Sequence, residues 1–284
     1  MEITNVCILG AGTLGSRIAL QAALSGYSVR VYDIHAGALE SSKKVMAKIL
    51  RQLSLPPEAL DSILFTSDPA EAVANADIIS ESVTEDLGLK RKVWAQFGAL
   101  APEKTIFTTN TSYLLPSQLA DASGRPTRFC AFHFHDVFYS KVVDIMPHPG
   151  TDSELERILM EFGRRLQQVP VVVRKENHGY IFNAMLLAFI GAAGKLRTKE
   201  VASIEDIDKS WMVNFHMPMG PFGIIDSIGL DTAWHVTHGL EDAASQAFAA
   251  LLKSYIDQGK LGEKSGEGFY TYPAPAYRHP DFLK

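Results

Sequence analysis

Cysteine is scarce in this chain, and long runs of one charge are absent. The 284 residues hold two cysteines. Cys7 and Cys130 both lie inside apolar, strand-like runs, with neither a zinc-ligand spacing nor a disulfide framework around them. A formal charge of −5 with no basic run argues against nucleic acid or an anionic membrane as a main partner. The longest apolar stretch, Tyr180 to Gly194, is too short to span a membrane and contains Asn183, so it reads as a buried helix. Met1 leads directly into the first strand, and no secretory signal is expected. No internal repeat or low-complexity tract is evident. The expectation is a cytoplasmic protein with reduced thiols. Its length, with 46% apolar residues, suits two domains of ordinary size.

What is present is concentrated at the start. Val6 to Leu9 form a short buried-strand run, Gly10, Gly12 and Gly15 spell G-x-G-x-x-G where a helix must begin, and Val29 to Asp33 form a second strand ending in an acid. In such a unit the first glycine allows a tight turn, the second lets a pyrophosphate approach the backbone, and the third lets helix and strand pack closely. The helix start at Gly12-Thr13-Leu14-Gly15 offers N–H groups and a positive dipole end to phosphates. Glycine turns of this kind also serve FAD and S-adenosylmethionine, so the motif gives the nucleotide class and leaves the reaction open. Asp33 favours NAD: its carboxylate can accept from both ribose hydroxyls and would repel a 2′-phosphate. Arg30 could hold that phosphate, but alternation along the strand turns it to the other face.

Strands and helices then alternate. Helices are expected over 37–53, from Pro69 to Asn75, over 87–100 and over 154–167. Strands are expected at 63–66, 76–79, 105–109, 128–134, 142–146 and 169–173. The pattern predicts an α/β protein: a Rossmann-type, doubly wound parallel sheet covered by helices. Beyond Asn177-His178-Gly179 only helical stretches follow, at 181–197, 203–213, 223–240 and 241–258. The expected division is a dinucleotide-binding domain over 1–177 and an all-helical domain over 178–284 that closes the ligand edge of the sheet.

Groups able to move a proton beside a hydride should lie at the carboxyl ends of the later strands. In Phe132-His133-Phe134-His135-Asp136 the two histidines share one face of a strand. Imidazole, with an unperturbed pKa of about 6.5, suits a base that removes a hydroxyl proton. Either histidine alone reads equally well as a hydrogen-bonded core residue. A metal reading fails on ligand count, since no second cluster with ligand spacing accompanies His-x-His. Asp144 can orient the imidazole as a triad carboxylate does, or it is a solvated strand-end acid. Ser112 can donate to the reacting oxygen or cap a turn, and no Gly-x-Ser-x-Gly elbow makes it a nucleophile. Asn183, an amide in an apolar helix, needs partners and can hold a substrate carbonyl. Glu81 and Glu85, with Lys90, can line the nicotinamide side or form a solvated, salt-bridged helix start.

These residues together resemble the L-3-hydroxyacyl-CoA dehydrogenase family, which includes 3-hydroxybutyryl-CoA dehydrogenases and related gulonate and carnitine dehydrogenases. The resemblance runs almost end to end. Beyond the glycine turn it is carried by Glu81 to Glu85, Thr109-Asn110-Thr111-Ser112, Arg128 to Phe134 and His178 to Asn183. Further on it is carried by Pro218-Met219-Gly220-Pro221-Phe222 with Asp226, by Gly229-Leu230-Asp231, and by Leu261 to Tyr270. It implies NAD as cofactor, with Glu85, Lys90 and Asn110 joining the glycine turn and Asp33 in the cofactor set. It implies His133 as general base, Asp144 where the family has glutamate, Ser112 on the substrate hydroxyl and Asn183 on the carbonyl. Hydride then leaves C3 of a short 3-hydroxyacyl-CoA, and the helical half serves as substrate wall and homodimer surface.

Three departures bear on the substrate. The family's His-Phe-Phe-Asn-Pro becomes His133-Phe134-His135-Asp136-Val137, an aspartate replaces the longer glutamate, and the helical insertion after Asp33 is short. Ser41, Ser42, Lys43 and Lys44 do not fall on the CoA-contact positions. A free short 3-hydroxy acid is therefore the rival substrate, and Met146-Pro147-His148-Pro149 loosely resembles the gulonate-type relatives. A non-catalytic, crystallin-like NAD-binding protein is the alternative of another class.

Overall fold

In the computed structural model, which describes residues 2–284, the chain divides into two compact units, Met1–Ile181 and Phe182–Lys284. The division falls at the start of a helix rather than at the 177/178 position read from the sequence. The first unit is built on one eight-stranded sheet. Its strands are β1 (Asn5–Leu9), β2 (Ser28–Tyr32), β3 (Ile63–Thr66), β4 (Ile78–Glu81), β5 (Ile106–Thr109), β6 (Phe129–Phe134), β7 (Val142–Met146) and β8 (Val169–Val172). Helices α1 (Thr13–Leu24), α2 (Ala36–Gln52), α3 (Pro69–Val73), α4 (Leu87–Leu100) and α5 (Ser153–Arg165) cover it.

The order β3-β2-β1-β4-β5-β6-β7-β8 reverses direction at β1, which pairs β2 on one side and β4 on the other. Ligands bind such sheets at that switch point, beyond the carboxyl ends of the strands. Side chains alternate across the sheet as strand geometry requires. Val6 and Ile8 join the core beneath α1, α2 and α5, while Cys7 and Leu9 join the core beneath α3 and α4. Both cysteines are free and buried, and burial pushes the Cys7 thiol up to about 12.

One expectation is corrected here: the sheet is not parallel throughout. β6 pairs β7 antiparallel, and β8 then runs parallel to β7. The short link between β6 and β7 holds no helix and allows only an antiparallel partner, whereas α5 provides the crossover that returns β8 parallel to β7.

The second unit is helical, with α6 (Phe182–Thr198), α7 (Ile204–Phe215), α8 (Pro221–Ile228), α9 (Leu230–Thr237) and α10 (Ala243–Ile256), and no strand among its described residues. The single helix expected over 223–240 is two helices. Gly229 breaks it with φ +102°, a conformation closed to most residues. The start of α8 is held by Asp208, which accepts from the N–H groups of Phe222 (2.9 Å) and Gly223 (3.0 Å) and from the Tyr270 hydroxyl (2.9 Å). Burial outweighs these bonds and raises the Asp208 carboxyl to about 6. Asp226 accepts from the N–H groups of Phe269 and Tyr270, both at 2.8 Å. Two buried acids thus tie together the two distinctive C-terminal strings. The apolar run from Tyr180 is also not buried throughout: Phe182 and Met185 are exposed, and α6 enters the core at Ile190, Ala193 and Gly194.

Candidate active site

The nucleotide end is built by three loops at the switch point. Gly10 turns with φ +103°, and a Cβ on Gly15 would lie 2.0 Å from the Gly10 carbonyl oxygen, so helix and strand meet at van der Waals limits. A Cβ on Gly12 would meet nothing within 4 Å. Open space lies where a pyrophosphate needs it. Gly12 is the N-cap of α1 and brings no side-chain cap, so the helix start at Thr13 and Leu14 is left for an anion. A cleft of about 450 Å³ runs from Gly10 and Gly12 past Asp33, Ile34 and His35 to Ser82, Val83 and Thr84. Asp33 accepts from the N–H groups of Ala11 (2.9 Å) and His35 (3.0 Å), which fixes its carboxylate in this cleft. Arg30 lies in register with Cys7, in a different depression with Asn5 and Leu64, away from that carboxylate. The residues present fit an NAD adenosine and pyrophosphate.

Glu81 and Lys90 do not form the solvated helix start that was one reading of the sequence, whereas Glu85 is exposed. Glu81 is 0% and Lys90 1% exposed. The Lys90 ammonium donates to Glu81 Oε1 (2.6 Å) and to the Val83 carbonyl (3.0 Å), and lies 3.3 Å from Glu85 Oε2. Glu81 also accepts from Thr109 Oγ1 (2.7 Å). Lys90 is therefore a buried cation held chiefly by Glu81 and the Val83 carbonyl, with Glu85 at the edge of the same network. In turn Glu85 Oε1 accepts from the Thr111 hydroxyl and from the N–H groups of Ser112 and Tyr113, both at 3.2 Å. The exposed Glu85 carboxylate thus holds the loop that carries Ser112, backed by the buried Lys90–Glu81 pair.

At the carboxyl end of β6, the register with β7 sets His133 directly opposite Asp144. His133 Nδ1 lies 3.1 Å and His135 Nε2 2.7 Å from the same oxygen, Asp144 Oδ2. The shorter aspartate therefore reaches the imidazole. Burial works to raise the Asp144 carboxyl, but hydrogen bonds from both histidines outweigh it and hold it below the usual carboxylate range. Phe132 and Phe134 point to the opposite face, edge to face with one another, as the alternation requires. Asn110 Oδ1 accepts from the Phe134 N–H (2.7 Å), locking the strand end beside His133.

His133, His135 and Asp144 offer ligand atoms within 4.8 Å of one another, so the ligand count on which the sequence set a metal aside reaches three. The pairwise distances are those of hydrogen bonds, and an N–H on each ring facing the carboxylate leaves neither nitrogen a lone pair on that side. The cluster reads as a proton network.

Sequence reasoning missed Tyr180, which it placed in an apolar helix. Its ring stacks on His133 (centroids 4.7 Å apart, 24° between planes), and its hydroxyl donates to the Thr111 carbonyl at 2.8 Å. Tyr180 thus spans the gap between His133 and the Ser112 loop. It also missed Asp136, which is ion-paired to Arg17 and accepts from the N–H groups of Phe138 (2.9 Å) and Tyr139 (2.8 Å). The turn lacking proline is stiffened by a carboxylate instead. Asn183 lies in the first turn of α6 in the second unit, half-buried.

Residues 5–177 match the model for the 3-hydroxyacyl-CoA dehydrogenase NAD-binding domain, and residues 179–272 that for the C-terminal domain of the same enzymes. The chain belongs to the 3-hydroxyacyl-CoA dehydrogenase family. It is accordingly an NAD-dependent oxidoreductase. The chain is 32% identical to the mitochondrial hydroxyacyl-coenzyme A dehydrogenase of Sus scrofa, covering 95% of this chain and 91% of that one. It is also 32% identical to a probable 3-hydroxybutyryl-CoA dehydrogenase of Bacillus subtilis, over 96% and 98% of the two chains. Among solved structures, a diketoreductase described by its substrate-directed dual catalysis of dicarbonyl compounds aligns with a TM-score of 0.92 at 40% identity, over 96% and 100% of the chains. The (S)-3-hydroxybutyryl-CoA dehydrogenase PaaH1 of Ralstonia eutropha aligns with a TM-score of 0.83 at 28% identity. No helix among the described residues is long and apolar enough to cross a membrane.

Proposed function

We propose that this enzyme oxidises a short-chain (S)-3-hydroxyacyl-CoA to the 3-ketoacyl-CoA, with His133 as general base. The observation that carries the reading is the Asp144 carboxylate on His133 Nδ1. An acceptor there fixes the tautomer with a proton on Nδ1 and a lone pair on Nε2, and stabilises the imidazolium once formed. His133 Nε2 then takes the substrate hydroxyl proton. NAD, when bound, supplies the hydride acceptor for C3. Ser112 holds the substrate oxygen on a loop pinned by Glu85 and Tyr180, and Asn183 is assigned to the carbonyl. Gly10, Gly12, Thr13, Leu14, Gly15 and Asp33 hold the dinucleotide. Asn110 and Glu85 complete its nicotinamide side, with Lys90 acting through Glu85. A homodimer through the helical unit fits the exposure of Met185 (61%) and Phe215 (62%). A cytoplasmic setting fits two buried, unpaired thiols.

A second reading keeps the chemistry and drops the CoA. Its support is the 40% identity to a reductase of dicarbonyl compounds, together with the His135-Asp136 departure beside the base. Initial rates with 3-hydroxybutyryl-CoA against a panel of free 3-hydroxy acids and β-dicarbonyls separate the two. Turnover of the thioester supports the first. Turnover of free compounds alone replaces it with the second.

A further inference from the structure

Ser112 lies beyond β5 on a loop with neither helix nor strand, so the backbone groups around it have no ladder partners and depend on side chains. Glu85 takes the N–H groups of Ser112 and Tyr113. The carbonyls on either side of Ser112 are held from elsewhere. The Tyr180 hydroxyl donates to the Thr111 carbonyl (2.8 Å), and His178 Nδ1 lies 2.8 Å from the Tyr113 carbonyl oxygen. A carbonyl oxygen only accepts, so this His178 nitrogen carries the proton and donates. We propose that His178 and Tyr180 are positioning residues, the two arms of a clamp that sets the Ser112 hydroxyl against the His133 base. The proposal rests on the roles given above to Ser112 and His133.

The backbone that carries both arms is tightly bonded. Asn177 closes a turn around them: its carbonyl accepts from the Tyr180 N–H (3.1 Å), and its side-chain amide donates to the carbonyls of His178 (3.0 Å) and Tyr180 (2.8 Å). The Asn177 N–H in turn rests on Met146 Sδ (3.3 Å) at the end of β7, the strand that also carries Asp144. Gly179 and Tyr180 both have left-handed backbones, with φ +75° and +55°. A bulky residue keeps that conformation only where its surroundings over-determine it, and such residues cluster at functional sites.

The strained turn brings residues 178 and 180 to the same loop at different depths. Tyr180 is buried, with its ring stacked on His133 at 4.7 Å. His178 is exposed, with its ring stacked on Tyr113 at 4.7 Å and 30°. Each arm therefore combines a hydrogen bond with a ring contact. Because Tyr180 touches the base and the loop at once, the position of Ser112 is referred to His133 itself. With Glu85 on the N–H groups and the two arms on the carbonyls, the peptide units flanking Ser112 are fixed from both sides, the preorganisation that an oriented hydroxyl needs.

The test is single-turnover NADH formation at saturating NAD, with the hydroxy substrate that the panel identifies, in Tyr180→Phe and His178→Phe, which keep the rings and lose the donors. Each should slow the chemical step about threefold to tenfold, the worth of one neutral hydrogen bond, with the NAD dissociation constant unchanged. His178→Asn, whose amide nitrogen takes the place of Nδ1, should recover most of the rate lost in His178→Phe. The same phenylalanine substitutions made in Ser112→Ala should cost almost nothing further, because the group they aim is gone. An equal loss with and without the Ser112 hydroxyl marks a merely structural role and overturns the proposal, as does a wild-type rate in either phenylalanine variant of the otherwise intact protein. If Tyr180→Phe does not fold, the exposed His178 decides by the same criteria. Failure of the underlying reading looks different: Ser112→Ala itself would then form NADH at the wild-type rate, and the clamp would fall with it.

Discussion

At the scale of single residues, the account turns on carboxylates whose partners are fixed. Asp33 sits in the nucleotide cleft with two backbone N–H groups on it. Replacing it by alanine should weaken NAD about tenfold or more and narrow the preference over NADP, because hydrogen bonds to a charged group are worth roughly 1.5–3 kcal/mol. Fluorescence titration with both cofactors reads this directly. Asp144→Asn should leave NAD affinity unchanged and lower kcat at least 10²-fold, since an amide can present its N–H to the ring and favour the wrong tautomer. The placement of His133, Asp144 and Asp33, though not their roles, was legible because each stands at a strand position whose face and end the pattern defines. His135's share in Asp144 was not, because two residues two apart on a strand compete for a role that spacing alone cannot assign. The burial of Lys90 and the stacking of Tyr180 on His133 were not legible for a related reason. Their environment is set by loops and strands distant in sequence, and burial of an ion pair or stacking of a ring leaves no local periodicity.

Among the elements, the sheet is tied together at its amino edge by Asp77, just before β4. It accepts from the N–H groups of Thr4 (2.9 Å) and Asn5 (2.8 Å) and from Lys104 (2.5 Å). Burial opposes ionisation, but Lys104 and these donors win and lower the carboxyl to about 2. A depressed carboxyl stabilises the fold above its unfolded pKa and loses that contribution as pH falls through the folded value. Asp77→Asn should therefore cost about 2 kcal/mol at pH 7. Urea unfolding should show the gap from wild type narrowing below about pH 4, and a gap that stays constant down to pH 3 would contradict the assignment. Helix α5 could be placed from the sequence because its apolar periodicity is strong, with Leu155, Ile158, Leu159 and Phe162 buried on one face. The reversal at β6 and β7 lay in the length of their link, too short for a parallel crossover, and not in the strands' own residues. The break at Gly229 was hidden inside an otherwise helical apolar pattern.

Over the whole molecule, one unit supplies the nucleotide cleft and the proton network, and the other is a separate helical core locked by Asp208 and Asp226. Family and cofactor class were legible because the motifs run along nearly the entire chain. The substrate was not, because the motifs carry the hydride chemistry and leave open whether the hydroxy acid bears a CoA tail. The central claim is that the ring of His133 accepts the hydroxyl proton as hydride leaves. Single-turnover stopped-flow measurement of NADH formation by His133→Ala, saturated with NAD and with whichever hydroxy substrate the panel identifies, tests it most directly. The account predicts a chemical step slowed about 10²–10⁴-fold with the NAD dissociation constant unchanged, and NADH formation at the wild-type rate would contradict it.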